Sequence, residues 1–371
     1  MSKSFSVSDP TWTIRSVGPS VAYHTLSIGG SQNDLLILCG GEYFNPVPEN
    51  PLFYFNTSEQ SPEWINIRLI LKPLREHTVV TRLSDSMNYI YGGIDTNDPE
   101  VSAKVQLNDL LKFDTRQNLL NDLSVDPKLP PGRFHQTATI LPDGKMYVIG
   151  GFSIDKLVEM SQIYVYDTIN GVWDDVQQTV GGALPLARRD HVAVGTQDGR
   201  VIIHGGVNVD YSKPYNDIAI LDTTIQPFTW FIPEVKGNVP PARYSHTATM
   251  VGTSMLIAFG VLSSSEKGDI LDDNIYIFDT ATYVWKDNFI PTTTPSPSPS
   301  PSPTSLPPSK LGLIIGFTLG VIILLLLVSF GLYRLYRRRN KKLPYMTEEQ
   351  ASNQVHTDEQ TSNQVKKFLC I

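Results

Sequence analysis

The stretch Val148-Ile149-Gly150-Gly151, two apolar residues that close on a pair of glycines, recurs along the chain at an almost constant pitch. Equivalent stretches are Leu38-Cys39-Gly40-Gly41, Ile90-Tyr91-Gly92-Gly93, Ile203-His204-Gly205-Gly206 and, in decayed form, Ala258-Phe259-Gly260-Val261. Successive first glycines are 52, 58, 55 and 55 residues apart. A pitch of roughly 50 residues is typical of stacked structural units of one kind. The repeat therefore predicts a repetitive architecture rather than one mixed fold.

Three other signals keep step with the glycines. A histidine precedes each pair, an alternating apolar strand ending in Asp-Thr or a similar dipeptide follows it, and a tryptophan opens a last strand in every unit but the second. The histidines are His24, His77, His135, His191 and His246, and the tryptophans are Trp64, Trp173, Trp230 and Trp285. Alternation between turn signals predicts half-buried strands. We name them strand a (histidine), b (glycine pair), c (Asp-Thr) and d (tryptophan), and expect one antiparallel sheet per unit.

The glycine pair, the Tyr/Phe-Asp dipeptide and the tryptophan at this spacing resemble the kelch-repeat β-propellers, over about residues 1–290. The resemblance implies an all-β fold in which blades surround a central channel. The recognisable repeats cover residues 20–66, 74–120, 132–175, 188–232 and 243–287. We expect the strand-a histidines, and the Arg75, Arg133, Arg189 and Arg243 that precede four of them, to hold blade to blade rather than to catalyse or bind a metal.

Residues 1–15 resemble the end of a further repeat, because Trp12 stands 52 residues before Trp64. Met1 then falls at the end of a strand c whose strands a and b are absent. Either Trp12 supplies strand d to the last repeat, displacing or duplicating Trp285, or an upstream segment has been lost. We favour the second interpretation, because six-bladed rings are common in the family. Residues 1–20 also contain no apolar signal segment.

The composition changes after Ile290. Residues 291–309 are rich in Pro, Ser and Thr, which predicts a disordered stalk. Residues 311–333 are 23 residues without a charge, about 34 Å as a helix and long enough to cross a bilayer. The basic cluster that follows predicts a single-pass type I membrane protein, with the propeller extracellular or luminal and a disordered low-complexity tail, residues 334–371, in the cytoplasm. Gly312, Gly316 and Gly320 share one stripe of that helix and predict a homodimer through it.

Charge restricts the class of ligand. Residues 1–290 carry 21 Lys and Arg against 33 Asp and Glu, a difference of −12. An acidic propeller argues against nucleic acid as a partner.

Asn56-Thr57-Ser58 is a candidate N-glycosylation site.

A copper radical oxidase of the galactose oxidase type is the enzyme alternative, because its catalytic domain is also a kelch-like propeller. That chemistry needs a linked Tyr-Cys pair, and the propeller has only Cys39, which lies within a predicted strand. No catalytic motif or metal-ligand spacing is present, so we predict no enzyme activity, no cofactor and no metal site.

The long b–c loops are the predicted binding surface, since function tends to lie on long loops held by a rigid scaffold. The candidate ligand residues on them are Tyr43, Phe44, Asp95, Asp98, Asp155, Tyr211 and Asp269. The sequence thus predicts a membrane-anchored propeller that binds a protein or glycan at the cell surface or in the secretory pathway.

Overall fold

Each of the five repeats folds into one antiparallel sheet with strand order a-b-c-d, and in the third repeat the short strand Gln177–Gln178 also pairs with strand c. The computed structural model describes residues 5–7, 16–44, 48–95, 107–174, 177–178, 182–265 and 268–290. Blade 1 comprises Thr25–Gly29, Leu35–Cys39, Leu52–Asn56 and Trp64–Asn66, and blade 2 comprises Thr78–Arg82, Met87–Tyr91, Leu110–Asp114 and Leu119–Asp122. Blade 3 comprises Thr137–Ile140, Lys145–Ile149, Gln162–Asp167 and Val172–Trp173. Blade 4 comprises Val192–Gly195, Arg200–His204, Ile218–Asp222 and Thr229–Phe231, and blade 5 comprises Thr247–Val251, Ser254–Ala258, Ile275–Asp279 and Val284–Lys286.

Alternation along each strand gives every inner blade two apolar faces, because successive side chains point to opposite sides of a sheet. In strand b of blade 3, Met146 and Val148 pack against blade 2, whereas Tyr147 and Ile149 pack against blade 4. All four side chains are buried. The core is therefore a series of layers between blades, and strands a of successive blades contact one another around the axis.

The glycine pair lets the next blade approach strand b closely. Gly205 has a φ of +67°, and a Cβ placed there would lie 2.6 Å from the carbonyl oxygen of Arg243 and 2.6 Å from Cε1 of His246, both in or leading into blade 5. Gly206 has a φ of +95° and donates its N–H to that same carbonyl at 2.9 Å. Left-handed backbone and a missing side chain are both required here, which glycine alone supplies.

Gly205→Ala is expected to lower the free energy of unfolding by about 1–3 kcal/mol more than Gly171→Ala, because only the first substitution adds a clash to the strain. Gly171 also has a positive φ, +73°, but the nearest atom to its Cβ position is the Tyr166 hydroxyl at 3.7 Å. Urea denaturation of the two variants measures the difference. Equal losses would show that backbone strain, not blade spacing, requires the glycine.

The histidine of strand a reaches across to the preceding blade. His77 lies 3.0 Å from Oγ1 of Thr25, His191 lies 2.9 Å from Oγ1 of Thr137, and His246 lies 3.1 Å from Nδ1 of His204. The prediction that these three histidines hold blade to blade is confirmed.

His135 also joins blades, through Glu76 and Asp190, but it lies one residue before the position that His77, His191 and His246 occupy. In blade 3 the equivalent residue is Gln136, which donates from Nε2 to the carbonyl of Tyr91 in blade 2 at 2.9 Å. His135 lies one residue earlier, so its side chain is directed elsewhere.

The fully buried arginines act within a blade, which corrects the second part of that prediction for Arg133 and Arg243. Arg133, Arg188 and Arg243 occupy one equivalent position and are at most 1% exposed. Their guanidinium groups donate to the carbonyls of Gly150, Gly205 and Phe259 of the same blades, at 3.0–3.1 Å. Arg189 donates to the carbonyl of Val209 in its own blade and also lies over the ring of Phe152 in blade 3. The Arg75 side chain reaches Glu42 of blade 1.

The described ends of the propeller meet at blade 5. Phe5–Ser6 pairs antiparallel with Asn288–Phe289, and Val7 packs with Leu256 and Phe289. Trp285 keeps its place in strand d of blade 5, so the N-terminal segment does not displace it.

Several predictions concern residues beyond this description. Trp12, Asp98, residues 291–309, the predicted span at residues 311–333 with Gly312, Gly316 and Gly320, and residues 334–371 all lie outside the described residues. Within the described ranges, no helix has the length and apolar character needed to cross a membrane.

Candidate functional site

The links into strand a and the b–c loops lie at the same end of every blade. The link residue pairs with the start of the b–c loop at Val21 with Tyr43, Arg75 with Ile94, Phe134 with Phe152, Arg189 with Val207, and Tyr244 with Val261. The a–b and c–d turns therefore lie at the opposite end. We call the first surface the loop face, and it is the one on which the sequence predicts binding.

A ring of left-handed residues surrounds the axis on the loop face. The residue just before the strand-a histidine or its equivalent has a φ between +52° and +57° in all five blades, at Tyr23, Glu76, His135, Asp190 and Ser245. The N–H of Glu76 donates to the carbonyl of Tyr23, and the same bond recurs from His135 to Glu76, from Asp190 to His135 and from Ser245 to Asp190. The four bonds are 2.9–3.2 Å long, and we call them the backbone relay. Such backbone is costly for residues other than glycine and is retained where the surroundings fix it. The relay places five different side chains around the mouth of the channel.

Three of these side chains form an ionic chain across three blades. His135 of blade 3 lies with Nε2 3.1 Å from Oε2 of Glu76 in blade 2, and with Nδ1 2.6 Å from Oδ1 of Asp190 in blade 4. Burial opposes charge on His135, but its hydrogen bonds to Asp190 and Glu76 outweigh burial and raise the pKa of the imidazole to about 9. Burial likewise disfavours the Glu76 carboxylate, and the bond to His135 prevails and lowers its pKa. At neutral pH Glu76 is therefore a carboxylate and His135 an imidazolium.

An arginine held between aromatic rings adjoins the chain. The Arg189 guanidinium lies 3.9 Å from the ring centre of Tyr211 and 5.4 Å from that of Phe152. Tyr211 has a φ of +61°, and its ring centre is 5.4 Å from that of Tyr244. Burial raises the pKa of the Tyr211 hydroxyl. We call Glu76, His135, Arg189, Asp190 and Tyr211 the mouth cluster, a set of charges and one ring held by contacts between blades.

The structure disperses the described candidate residues predicted from sequence over all five blades. Tyr43 and Asp95 lie in short strands paired with the links, Phe44 is 58% exposed, and Asp155 has a φ of +66°. Asp269 accepts a hydrogen bond from Ser264 at 2.5 Å. Tyr211 is the member of the set that reaches the mouth cluster. Sequence reasoning missed Glu76 and Asp190 and gave His135 and Arg189 only a structural role.

The loop face also carries exposed apolar side chains. They are Phe44 in blade 1, Ile154 in blade 3, Val209 in blade 4, and Ile270 and Leu271 in blade 5, with exposed fractions from 49% to 71%. Apolar side chains beside rings and arginines are the composition that protein-binding surfaces favour.

The remaining sequence candidates lie away from the mouth. Asn56 is in the c–d turn of blade 1, on the face opposite to the loop face, where its Oδ1 accepts from the N–H and hydroxyl of Ser58 at 3.0 and 2.7 Å. Cys39 ends strand b of blade 1 and is 1% exposed, and burial raises the pKa of its thiol to about 12. In the part of the chain that the structure describes, no three His, Cys, Asp or Glu side chains converge as metal ligands, so nothing there favours the oxidase alternative.

Comparison with known proteins accounts for the architecture. A family described as the KLHDC2/KLHL20/DRC7 Kelch-repeats domain matches residues 23–226 and 158–324. The chain belongs to the kelch-repeat family. Kelch propellers generally bind protein partners, and kelch-domain relatives are generally non-enzymatic interaction modules.

Similar proteins differ in how much of their length the chain covers. The chain is 29% identical to human "Kelch domain-containing protein 3" over 287 residues, which is 72% of this chain and 70% of that protein. It is 23% identical to rice "Adagio-like protein 1" over 329 residues, 67% of this chain and 50% of the relative. It is 26% identical to "Acyl-CoA-binding domain-containing protein 4" of Arabidopsis thaliana over 191 residues, 52% of this chain and 26% of the relative. The similarity thus follows the propeller, while the relatives' lengths outside it differ.

Proposed function

We propose that this chain is a membrane-anchored, non-catalytic interaction protein whose propeller binds a protein or glycan partner on the loop face. The observation that carries the proposal is the mouth cluster. Its charges come from three blades and its aromatic ring from a b–c loop, so their positions are fixed by the packing of the whole propeller. Side chains held in place before binding lose little freedom when a partner arrives, which favours affinity.

Exposed apolar residues around the cluster supply the area that a partner would cover. Tyr and Arg are enriched among the residues that dominate binding energy, and they act within a surround that excludes water. Phe44 and Ile154 are two such surrounding residues, and they lie on loops of two different blades. A partner that spans both loops would lie across the mouth of the channel.

The double variant Phe44→Ser, Ile154→Ser is expected to reduce partner binding about tenfold or more, since each truncation removes apolar contact worth roughly 1 kcal/mol at an interface. Its melting temperature should stay near that of the wild type, because both side chains are exposed. Crosslinking of the full-length protein in its native membrane, followed by mass spectrometry, identifies the partner and measures its recovery.

The matched control is Leu83→Ser, Ile169→Ser, at an a–b turn and a c–d turn on the opposite face, where the side chains are 55% and 70% exposed. It should leave recovery unchanged. A greater loss in this control than in the loop-face variant would place binding on the other face.

The membrane part of the proposal rests on sequence. Residues 311–333 would cross the bilayer once, the basic residues after Tyr333 would stay in the cytoplasm, and the propeller would face the cell exterior or the secretory lumen. Gly312, Gly316 and Gly320 would then let two copies of the span approach closely.

Glycosylation of Asn56 tests that orientation. A luminal propeller exposes the Asn56-Thr57-Ser58 turn to glycosylation, and the turn lies on the surface with Asn56 bonded to Ser58 and Glu59. We expect a mass shift on gels that peptide N-glycosidase F removes and that Asn56→Gln abolishes. Full-length protein that carries no glycan, with a propeller digested by protease added from the cytoplasmic side, would contradict the orientation.

We also infer that a sixth blade completes the ring, as the sequence predicts. The backbone relay supports it. Within the described residues, the relay runs from Tyr23 through three blades to Ser245, and no bond of this kind joins Ser245 to Tyr23. The intact mass of the native protein tests the number of repeats on the polypeptide.

A further inference from the structure

A groove opens between blades 2 and 3, beside the c–d turn of blade 3 and away from the loop face. Its volume is about 700 Å³. Strands b and c and the exit link of blade 2 line one side of it, and strand c, the c–d turn and strand d of blade 3 line the other. The buried rings of Tyr89 and Tyr166 lie 6.0 Å apart between their centres at its base. Val125 and Val172 at its edge are 88% and 47% exposed, so the groove is apolar both at its base and at its rim.

Between blades 4 and 5 the equivalent space is filled by the side chain of Tyr283. Its ring stacks on that of Phe278 with the centres 6.4 Å apart and 17° between the planes. Its hydroxyl accepts a hydrogen bond from Nη1 of Arg200 in blade 4 at 2.8 Å. Phe278 and Tyr166 hold one equivalent position, because each is paired with the tryptophan of strand d in its own blade. Tyr283 therefore occupies the place that is open between blades 2 and 3.

The other two layers between neighbouring blades are also filled at this place. Phe228 of blade 4 is 4% exposed, and its ring centre lies 5.8 Å from that of Tyr147 in blade 3. Between blades 1 and 2, Ile67 and Leu71 of the link are buried and pack in one cluster with Phe113 of strand c. Each of these layers thus supplies its own apolar side chain, and two of the three use an aromatic ring.

A glycine at position 171 leaves the groove between blades 2 and 3 open. Gly171 has the place of Tyr283 in the c–d turn, and both lie two residues before the strand-d tryptophan. Their N–H groups donate to the carbonyls of Asp167 and Asp279, both at 2.8 Å, and their φ values are +73° and +57°. The two turns share one backbone conformation and differ in the side chain. Among the described residues, a Cβ at Gly171 would come within 4 Å only of the Tyr166 hydroxyl, at 3.7 Å.

The carboxylates of the groove already have partners. Asp126 accepts from the N–H of Trp173 at 3.0 Å and from the N–H of Lys128 at 2.8 Å. Asp174 accepts from Nζ of Lys145 at 2.7 Å. An occupant would therefore be recognised by its shape and its apolar surface rather than by a positive charge.

We propose that this groove is a second binding surface, which receives a Phe or Tyr side chain from a turn of a partner protein distinct from the partner on the loop face. The repeat itself indicates the chemistry of the occupant, since Phe228 and Tyr283 are the residues that fill the equivalent spaces. A single aromatic ring buries a large area at a small cost in side-chain entropy, which suits it as an anchor. Val125 and Val172 would be covered together with the ring, as exposed apolar patches at interfaces are.

The test uses immobilised full-length protein and a phage-displayed library of random peptides closed by a disulfide, which present their side chains on turns. Peptides selected on the wild type should share a Phe or Tyr whose replacement by Ala weakens binding about tenfold or more. Gly171→Tyr should weaken the same peptides about tenfold or more, because a ring of the chain itself then fills the groove. Asn118→Tyr is the matched control and should leave binding unchanged. Asn118 has the same place in the turn of blade 2, with a φ of +53°, where Ile67 and Leu71 already fill the space.

A second variant decides the matter if Gly171→Tyr does not fold. Val125→Asp puts a charge at the exposed edge of the groove, where it should weaken the peptides about tenfold or more and leave the melting temperature unchanged. The loop-face variant Phe44→Ser, Ile154→Ser should leave peptide binding unchanged. Failure of this surface can therefore be told apart from failure of the loop face.

Four results would overturn the proposal. The first is a selection that yields no binding peptide, or peptides without a shared aromatic residue. The second is a loss of binding in Asn118→Tyr as large as that in Gly171→Tyr, or no loss in Val125→Asp. The third is a loss of peptide binding in the loop-face variant, which would place the peptides on the loop face. The fourth is a dimer, detected by light scattering, that Gly171→Tyr dissociates, since a second copy of this chain would then be the occupant.

Discussion

Arg243→Ala is expected to lower the free energy of unfolding by about 3–5 kcal/mol, because it leaves a carboxylate without its counter-charge inside the protein. Nη2 of Arg243 lies 2.7 Å from Oδ2 of Asp272, and the two side chains are 0% and 4% exposed. The guanidinium also donates to the carbonyl of Phe259 at 3.0 Å and lies 4.3 Å from the ring centre of Tyr276. Guanidinium chloride denaturation followed by tryptophan fluorescence measures the loss.

An exposed ion pair provides the control. Nζ of Lys72 lies 2.8 Å from Oδ2 of Asp109, but the lysine side chain is 59% exposed. Lys72→Ala should cost no more than about 1 kcal/mol, because water and salt screen such pairs. If the two variants lost similar free energy, the buried pair would not be a structural anchor of blade 5.

The blades could be predicted from sequence because their signals are local. A glycine pair that requires positive φ, an Asp-Gly turn and an alternating strand are all read within about ten residues, as at residues 143–151. The same rules apply in each repeat, so five copies reinforce one another. That is why the strand order and the buried faces follow the prediction.

His135 shows where the spacing in sequence cannot decide between two neighbouring residues. The strand-a histidines precede the first glycine by 16, 15, 14 and 14 residues in blades 1, 2, 4 and 5. In blade 3 His135 precedes Gly150 by 15 residues and Gln136 by 14, so both fit. Only the hydrogen bond from Gln136 to the carbonyl of Tyr91 decides which side chain takes the position.

The mouth cluster had no signal in the repeat itself. Three of its members lie at the position before strand a, which the blades fill with Tyr23, Glu76, His135, Asp190 and Ser245, five residue types with nothing in common but their backbone conformation. Their proximity arises when the blades assemble around the axis, and the chain separates Glu76 from Asp190 by 114 residues. A repeat pattern shows the residues that the blades have in common, whereas the candidate site is made of residues that differ from blade to blade.

Acid is expected to unfold the propeller through its buried histidines. Burial lowers the pKa of His77 to about 4 and those of His191 and His204 to about 3. Burial and the neighbouring His204, Arg243 and His191 lower the pKa of His246 as well. Above the unfolded-state pKa of about 6.5 these groups are neutral in both states and cost nothing.

As the pH falls below about 6.5, the unfolded chain binds protons first, so stability is lost until the folded pKa values are reached. Each of these histidines then costs about 2 kcal/mol at pH 5, and several together approach the total stability of a typical protein. Denaturation midpoints measured from pH 7 to pH 4 should therefore fall steeply.

His246→Gln tests which groups cause the loss. Blade 3 already uses a glutamine at the equivalent position, and the side chain there donates to a carbonyl of the preceding blade, so the substitution offers His246 a proven replacement. The difference between wild type and variant should grow in the variant's favour as the pH falls from 6.5 to 5. His135→Gln should instead cost a constant amount from pH 6.5 to 5 and less as the pH rises toward 9, since the folded pKa of His135 is raised to about 9. Its charge stabilises the fold below pH 6.5, and that contribution is lost as the pH rises through 9. A pH profile that His246→Gln leaves unchanged would show that the buried histidines are not what makes the blade interfaces sensitive to acid.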